Sequence, residues 1–561
     1  MKGLQIIVLT FIFFAPQFLL AQNQPPPKRE MRGVWIATVN NIDYPKRPTA
    51  NGVAQKEQWN KMVQRLKKMG INTLFVQVRP AGDAFYESDL VPWSRFLTGK
   101  QGTPPVPYYD PMEYMIDVAH KNGMEFHAWI NPYRATFGLD TLALARNHVF
   151  NTHRDWLVQY GNKMYLNPGM PEVRRHIVQV VKEITEKYNV DGIHVDDYFY
   201  PYKIKGVEFP DSAQYAQYGE PYGSLGDWRR HNNDELVKNL AITIKQQKPY
   251  MLFGVSPFGV WRNLEDDPFG SDTRAGVRSY DDLYADILNW LEKGWLDYVA
   301  PQLYFNIGYE PADYQKLLNW WRTHNYDRTL IIGQAAYKVG NNPVEAWASA
   351  NEIPNQINMN RRFNDVAGSI FFSTKSLMNN PLGVTDSLSD VFYQYRALSP
   401  FQFPDEMMPS TPKLTKVKGT PEGVKLKWRL NQQEPTQGAG LLPPDYYIVY
   451  RFSEGKPLDM EDPSNIIFIS DLDGEHQCLI DKTTENGEIY TYAISAVNKY
   501  RNESPLSNKI MVRKELGKVK KINISAARKK VNKERRKNKR RIKKKNRKEK
   551  KQGELPSPTA F

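Results

Sequence analysis

The stretch Gly192-Ile193-His194-Val195-Asp196-Asp197-Tyr198-Phe199-Tyr200-Pro201 decides how the rest of the chain is read. Ile193 and Val195 fall on one parity, His194 and Asp196 on the other. An apolar start and an acidic end suit a strand of a parallel barrel, packed along its length and opening into a pocket at its C-terminal end. On the plainer reading Asp196 caps the next element and Asp197 lies on the surface. The flanking sequence has to choose.

Three apolar, β-branched or aromatic runs precede it, at 30–38, 72–80 and 125–132, and four follow, at 251–257, 298–305, 330–337 and 368–374. Segments with helical periodicity separate them: 55–69 closed by Gly70, 111–122 closed by Gly123, 171–188, 234–247, 280–293 closed by Gly294, 314–323, 343–361 and 387–397. Proline at the first turn and glycine after the last are the expected helix punctuation. Eight strand–helix pairs between residues 28 and 400 predict an α/β chain folded as a (β/α)8 TIM barrel with long loops. A doubly wound open sheet competes, but no strand leads into the Gly-rich phosphate turn that marks it.

Near Pro400 the texture changes. Pro400, Pro404, Pro409 and Pro412 mark a linker, and alternating runs follow at Gly423 to Trp428, Tyr446 to Arg451 and Tyr490 to Asn498. Short strands between turn residues across 410–513 predict a C-terminal β-sandwich. Its Trp428, Tyr450 and Tyr492-to-Val497 strands resemble a fibronectin type III domain. It holds no catalytic cluster, so it reads as a spacer or weak attachment.

The net charge of +15 is unevenly spread. Residues 513–551 carry 22 Lys or Arg against three Glu, a net +19, which leaves the remainder at −4. Residues 514–561 therefore read as a disordered basic tail of low complexity, and the globular part as mildly acidic. The tail suits adhesion to an anionic envelope polymer or lipopolysaccharide, against the simpler reading of a solvated extension, and gives no ground for a specific nucleic-acid partner. Residues 1–21 read as a signal peptide: Lys2, an apolar run from Leu4 to Leu20, then Ala21 as the cleavage point. That predicts a secreted, periplasmic or cell-envelope protein with no membrane span after removal. Cys478 is the only cysteine, so stability rests on packing rather than on an internal disulfide.

Barrel chemistry sits at strand C-termini. The second strand offers Arg79, Asp83 and Tyr86, with Trp93 as a wall. The third puts His127, Trp129 and Asn131 on one parity, with Arg134 beyond. The fourth gives His194, Asp196, Asp197 and Tyr198. The sixth gives Gln302 and Tyr304. No GxSxG elbow and no HExxH occurs, and the lone Cys lies outside the barrel. His127, His194 and Asp196 lack metal-motif spacing, so neither metal nor cofactor is assigned. Carboxylates, aromatics and amide donors around a barrel mouth are the equipment of glycoside hydrolysis. Neighbouring side chains on a strand diverge, so a partner for Asp196 is also sought beyond Asp197, in Asp83, Glu87 or Asp272.

Arg32-Gly33-Val34-Trp35, Gln77-Val78-Arg79-Pro80-Ala81-Gly82-Asp83-Ala84, Pro92-Trp93-Ser94, Tyr109-Asp110-Pro111, Ala119-His120, His127 to Arg134 and Asp191 to Pro201 together resemble the glycosyl hydrolase-like 10 family over roughly residues 28–398. The resemblance implies a (β/α)8 barrel acting on a glycan, with peptide-free peptidoglycan strands as a substrate class. His194 and Asp196 fit the pattern of an essential Asp two residues after a polar partner at the end of strand four. A Glu at the end of strand five or six, common in other barrel families, is missing, since those ends read Ser256-Pro257 and Gln302-Leu303-Tyr304. The assignment is Asp196 as nucleophile or electrostatic stabiliser and Asp197 or Asp83 as acid/base. Arg79, Asn131, Arg134, His194, Gln302 and Tyr304 hold the sugar; Trp93, Trp129 and Tyr198 stack on it. The competing readings are a non-catalytic glycan-binding envelope protein, a metal-dependent deacetylase or phosphoesterase, and an adhesin driven by the tail.

Overall fold

The computed structural model describes residues 25–403, 408–430, 443–470 and 477–522. The leader expected at 1–21, and the tail beyond Ile522, lie outside the described residues. Among the described residues no helix is long and apolar enough to cross a membrane.

Eight parallel strands close into a barrel: β1 (Met31–Ile36), β2 (Thr73–Arg79), β3 (Glu125–Ile130), β4 (Gly192–Val195), β5 (Leu252–Val255), β6 (Tyr298–Val299), β7 (Thr329–Gln334) and β8 (Val366–Phe371). They pair in chain order, and β8 returns to β1 with Met31 opposite Gly368. The (β/α)8 expectation is met. All eight sequence runs became strands, each shortened at the end where the chain leaves the sheet for the mouth.

Strand parity sorts the side chains into two layers. Ile193, Val195, Phe126 and Ala128 face outward, in the layer packed under the helices. Trp35, Phe75, Trp129 and Tyr298 face inward and fill the barrel. Gly254 allows that filling, since a Cβ there would lie 2.1 Å from the Tyr298 ring.

The helices Gly52–Lys68, Pro111–Lys121, Pro171–Lys187 and Tyr314–Thr323 follow the sequence reading closely, and Leu225–Gln247 starts nine residues earlier than expected. Asn51, Asp110, Ser224 and Asp313 cap four of them by accepting backbone N–H groups, and Pro171–Lys187 opens on its proline instead. The helix expected at 280–293 is broken. Asp281 and Asp282 are drawn to Arg262 and Arg278 of the preceding loop, Tyr284 turns at φ +53, and Asp286 caps a fresh helix, Ile287–Glu292. The span 343–361 likewise divides into a 3-10 turn, Glu345–Ala348, and a helix, Glu352–Asn360.

The C-terminal strands form two facing antiparallel sheets. One holds β9 (Pro412–Thr420), β10 (Gly423–Leu430) and β13 (Cys478–Asp481). The other runs β12 (Ile466–Ile469), β11 (Pro444–Ser453), β14 (Ile489–Asn498), β15 (Ile510–Glu515) and β16 (Lys518–Ile522). Trp428, Tyr447, Tyr492 and Ile494 lie in the core between them. β16 carries the sheet to Ile522, past the point where the sequence reading begins the basic tail.

This unit does more than space. It closes the N-terminal end of the barrel. Arg501, 4% exposed, donates from Nε to Glu125 Oε1 at 2.6 Å and from its other nitrogens to the carbonyls of Tyr250 and Asp191. Phe401 joins the barrel-interior cluster beside Tyr298. Lys28, before β1, pairs with Glu503 at 2.7 Å.

A buried ion pair that loses one partner leaves a bare charge in a low dielectric, at a cost of about 3–5 kcal/mol. Arg501→Ala is therefore expected to lower the unfolding free energy by that order. Urea titration of the variant against the parent measures it.

Candidate active site

The strand ends meet in a cavity of about 550 Å³ at the C-terminal mouth of the barrel. Asp196 and Asp197 both line it. β4 ends at Val195, and the chain then turns: the Tyr198 N–H donates to Asp196 Oδ1 at 3.3 Å and the Phe199 N–H to the Asp197 carbonyl at 3.0 Å. Strand alternation no longer applies past Val195. The divergence expected of neighbouring residues is thus corrected, since both carboxyls face one space.

Asp196 is held from below. The Trp129 indole donates to its Oδ2 at 3.0 Å and the Asn131 amide to the same oxygen at 2.6 Å. Gln77 fixes Asn131 by donating to its Oδ1 at 2.6 Å, and is fixed in turn by the N–H groups of Thr38 and Val39. Asp197 accepts from the Tyr202 hydroxyl, and the Gln302 amide is a further partner. Gln302 also donates to the Ser256 carbonyl at 2.9 Å.

Burial raises the Asp196 carboxyl to about 7, with the negative charge of Asp197 adding to the effect and Arg134, Asn131 and the Tyr198 N–H opposing it. Burial also raises Asp197, against Tyr202, Gln302 and Arg134, which hold it down. The two carboxyls share one buried space, so a charge on one favours the proton on the other.

Arg134 lies over the Tyr198 ring at 4.4 Å. Tyr198, 39% exposed, lines the cavity. Opposite, Trp35, Tyr304, Tyr337 and Phe372 form an aromatic wall, with neighbouring ring centroids 5.8–6.3 Å apart. A hairpin, Leu157–Tyr160 with Lys163–Leu166, forms part of the rim. Its turn glycine, Gly161, sits at φ +59, where a Cβ would meet Ile204 Cδ1 at 2.8 Å. Among the described residues, no group of three or more His, Cys, Asp or Glu is placed to hold a metal ion.

A family model described as glycosyl hydrolase-like 10 matches residues 30–349. The chain belongs to this family. It is accordingly an enzyme, a glycoside hydrolase. It is 44% identical over 512 residues to the glycosyl hydrolase YngK of Bacillus subtilis (strain 168), covering 90% of this chain and 97% of that one. It is 39% identical over 389 residues to the glycosyl hydrolase DigH of Escherichia coli (strain K12), covering 64% of this chain and 88% of that one. Among solved structures, the glycoside hydrolase domain of PgaB (BpsB) from Bordetella bronchiseptica is 14% identical, with a TM-score of 0.40 over 65% of this chain and 99% of that domain.

Within this family member the structure gathers some expected site residues and separates others. Asp196, Asp197, Trp129, Arg134, Tyr198, Gln302 and Tyr304 line the cavity, and Asn131 lies directly behind it. Arg79 is buried one layer deeper, donating to the Asn131 carbonyl at 2.5 Å. His194 lies in the barrel interior, bonded to Ser256 Oγ at 2.9 Å, Tyr298 OH at 3.0 Å and the Trp35 indole at 3.2 Å. Burial keeps it neutral, with His127 adding to the effect.

Asp83 lies off the cavity, 2% exposed and accepting from Gln101 at 3.0 Å, and Trp93 packs on the core in the same loop. Glu87 is engaged by Tyr108, and Asp272 by Lys316 at 2.6 Å. The sequence reading passed over Trp35 and Phe137 as site residues, and also Tyr202 and the hairpin. Gly161-Asn162 between Tyr160 and Lys163 is a two-residue turn signal that would have revealed the hairpin. Tyr202 followed Pro201 with no pattern to mark it.

Between the ordinary carboxylate value near 4 and about 7, folded Asp196 binds a proton that the unfolded chain releases. Its contribution to stability therefore falls as pH rises through that window. Asp196→Asn keeps an acceptor for Trp129 and removes the titration. Its melting temperature is expected to gain on the parent between pH 5 and pH 8, as read by calorimetry at both values.

Proposed function

We propose that this protein hydrolyses O-glycosidic bonds of a bacterial envelope polysaccharide, with peptide-free peptidoglycan strands as the substrate, and works outside the cytoplasm. The observation that carries this reading is the pair Asp196 and Asp197 on one wall of an aromatic cavity at the barrel mouth. A sugar ring offers apolar C–H faces to aromatic rings and hydroxyls to amides and guanidinium. Tyr198 on Arg134 supplies a stacking face, and Gln302 and Arg134 supply donors. The leader read in residues 1–21 supports the location.

The electrostatics assign the roles. A general acid must still hold its proton at the working pH. Asp196, raised to about 7, suits that role better than the nucleophile role first given to it. Asp197, ionised beside it, stabilises positive charge developing at the anomeric carbon. Trp129 and Asn131 hold Asp196 Oδ2 at 3.0 and 2.6 Å, so Oδ1, met only by the Tyr198 N–H at 3.3 Å, is the oxygen to deliver the proton.

The C-terminal sheets, three strands facing five with Trp428 between them, support the fibronectin type III-like reading. The basic residues beyond Ile522 are assigned to adhesion on an anionic envelope polymer or lipopolysaccharide. Removing residues 523–561 should then cut retention on such material, most strongly at low salt.

Release of reducing ends from amidase-treated peptidoglycan strands is the direct test. Asp196→Asn is expected to slow it by about 10²–10⁴-fold. The parent rate should fall as pH rises through about 7, where Asp196 loses its proton, and fall again in acid as Asp197 gains one. Retention of strands without any reducing-end release would overturn the hydrolase assignment in favour of glycan binding.

A further inference from the structure

Glycoside hydrolysis by two carboxylates places them on opposite sides of the scissile bond, about 5–5.5 Å apart for retention and about 6.5–9.5 Å for inversion. Among the described residues, the carboxylates on the cavity wall are Asp196 and Asp197, consecutive in sequence at the end of one strand. The facing wall is Trp35, Tyr304, Tyr337 and Phe372. The nearby acids are engaged elsewhere. Asp43 accepts from the Ala37 and Lys375 N–H groups and from Ser373, and Asp83 from Gln101. The mouth thus has a proton donor and an anion on one side and no carboxylate to attack from the other.

We infer that the missing nucleophile is the substrate's own 2-acetamido group, so that the enzyme takes 2-acetamido sugars in the cleaved subsite and works by substrate assistance. This rests on the hydrolase reading above. The carbonyl oxygen of the acetamide attacks C1 with its lone pair while the C1–O bond breaks. Asp196 gives its proton to the departing oxygen. The product on the enzyme is an oxazolinium ion, closed across C1 and C2, whose N–H is held by the Asp197 carboxylate. Water then adds at C1 and passes a proton to Asp196, the ring C1–O bond opens, and the acetamide is regenerated. Atoms and charge balance as a hydrolysis with retained configuration.

The surroundings of Asp197 fit the task. The Tyr202 hydroxyl and the Gln302 amide, both neutral donors, fix this carboxylate on the cavity wall, and neither cancels the charge that an acetamide N–H would meet. Burial, with the charge of Asp197, pushes the Tyr202 phenol up, so it stays a donor throughout. An acetamide also carries a methyl group, and the wall of Trp35, Tyr304 and Phe372 is the apolar surface such a group needs.

Two measurements decide it. In the first, amidase-treated glycan strands are N-deacetylated and then re-acylated with acetyl or trifluoroacetyl groups. Re-acetylated strands should be cleaved at the native rate, trifluoroacetylated strands at least 100-fold slower, and free-amine strands not at all. Equal rates for the two acyl forms, or a covalent glycosyl–aspartate trapped with a 2-fluoro glycoside, would overturn the inference and leave the hydrolase reading standing. In the second, the thiazolines of N-acetylglucosamine and N-acetylmuramic acid are titrated by calorimetry. At least one should bind 100-fold or more tighter than its parent sugar, and Asp197→Asn should abolish that gain. Affinity no better than the parent sugar for both would overturn it. If native strands resist cleavage, the substrate reading falls, and thiazoline binding still decides the inference.

Discussion

The Trp35 indole can only donate a hydrogen bond, and from inside the barrel that one constraint orients a whole column of polar groups. His194 Nε2 accepts from Trp35, so its Nδ1 carries the hydrogen and donates to Tyr298 OH. Tyr298 then donates to His127 Nδ1 at 3.1 Å, which leaves His127 Nε2–H facing Glu125 at 3.5 Å. Glu125 ends on Arg501. The column runs the length of the barrel, from the sandwich at one end to a tryptophan in the cavity wall at the other. These side chains are all buried, so each polar group is satisfied by the next. The column also sets the floor of the site: Ser256, bonded to His194, lends its carbonyl to Gln302, and Gln302 reaches Asp197.

The site shows how one mouth can give two like residues different work. Asp196 and Asp197 share burial and charge, yet their partners differ. Asp196 rests on an indole and an amide, both neutral donors on one oxygen. Asp197 has a phenol and an amide, and Arg134 acts on both acids. The charge on Asp197 adds to burial in raising the Asp196 carboxyl to about 7, which favours its proton. Adjacency in sequence is what makes this coupling strong, and the turn after Val195 is what lets both side chains reach one space.

Much of this was legible before the structure. Alternation and helix punctuation located eight strands, because barrel strands buried on both faces leave continuous apolar runs. The β4 stretch pointed to the site because acids rarely end such a run without reason. What sequence missed has a physical pattern. Asp83 follows the end of β2 by four residues, but its loop turns it to Gln101 and away from the cavity. Parity arguments hold only while a strand lasts, so they misjudged Asp197 and could not see Tyr202. The break at Tyr284 came from ion pairs with a distant loop, which no local propensity records.

The plug at the barrel's N-terminal end ties the fold to the direction of synthesis. All eight barrel strands have been made by Phe371, yet the guanidinium that neutralises Glu125 arrives 376 residues after it, and Lys28 closes onto Glu461 across a separation of 433. Contacts of that span carry the largest loop-closure cost and form late. A nascent chain holding the whole barrel still has an unpaired acid at its base and apolar Phe401 without its socket complete. The C-terminal sheets, through Glu461, Arg501 and Glu503, are thus a latch made long after the strands it closes.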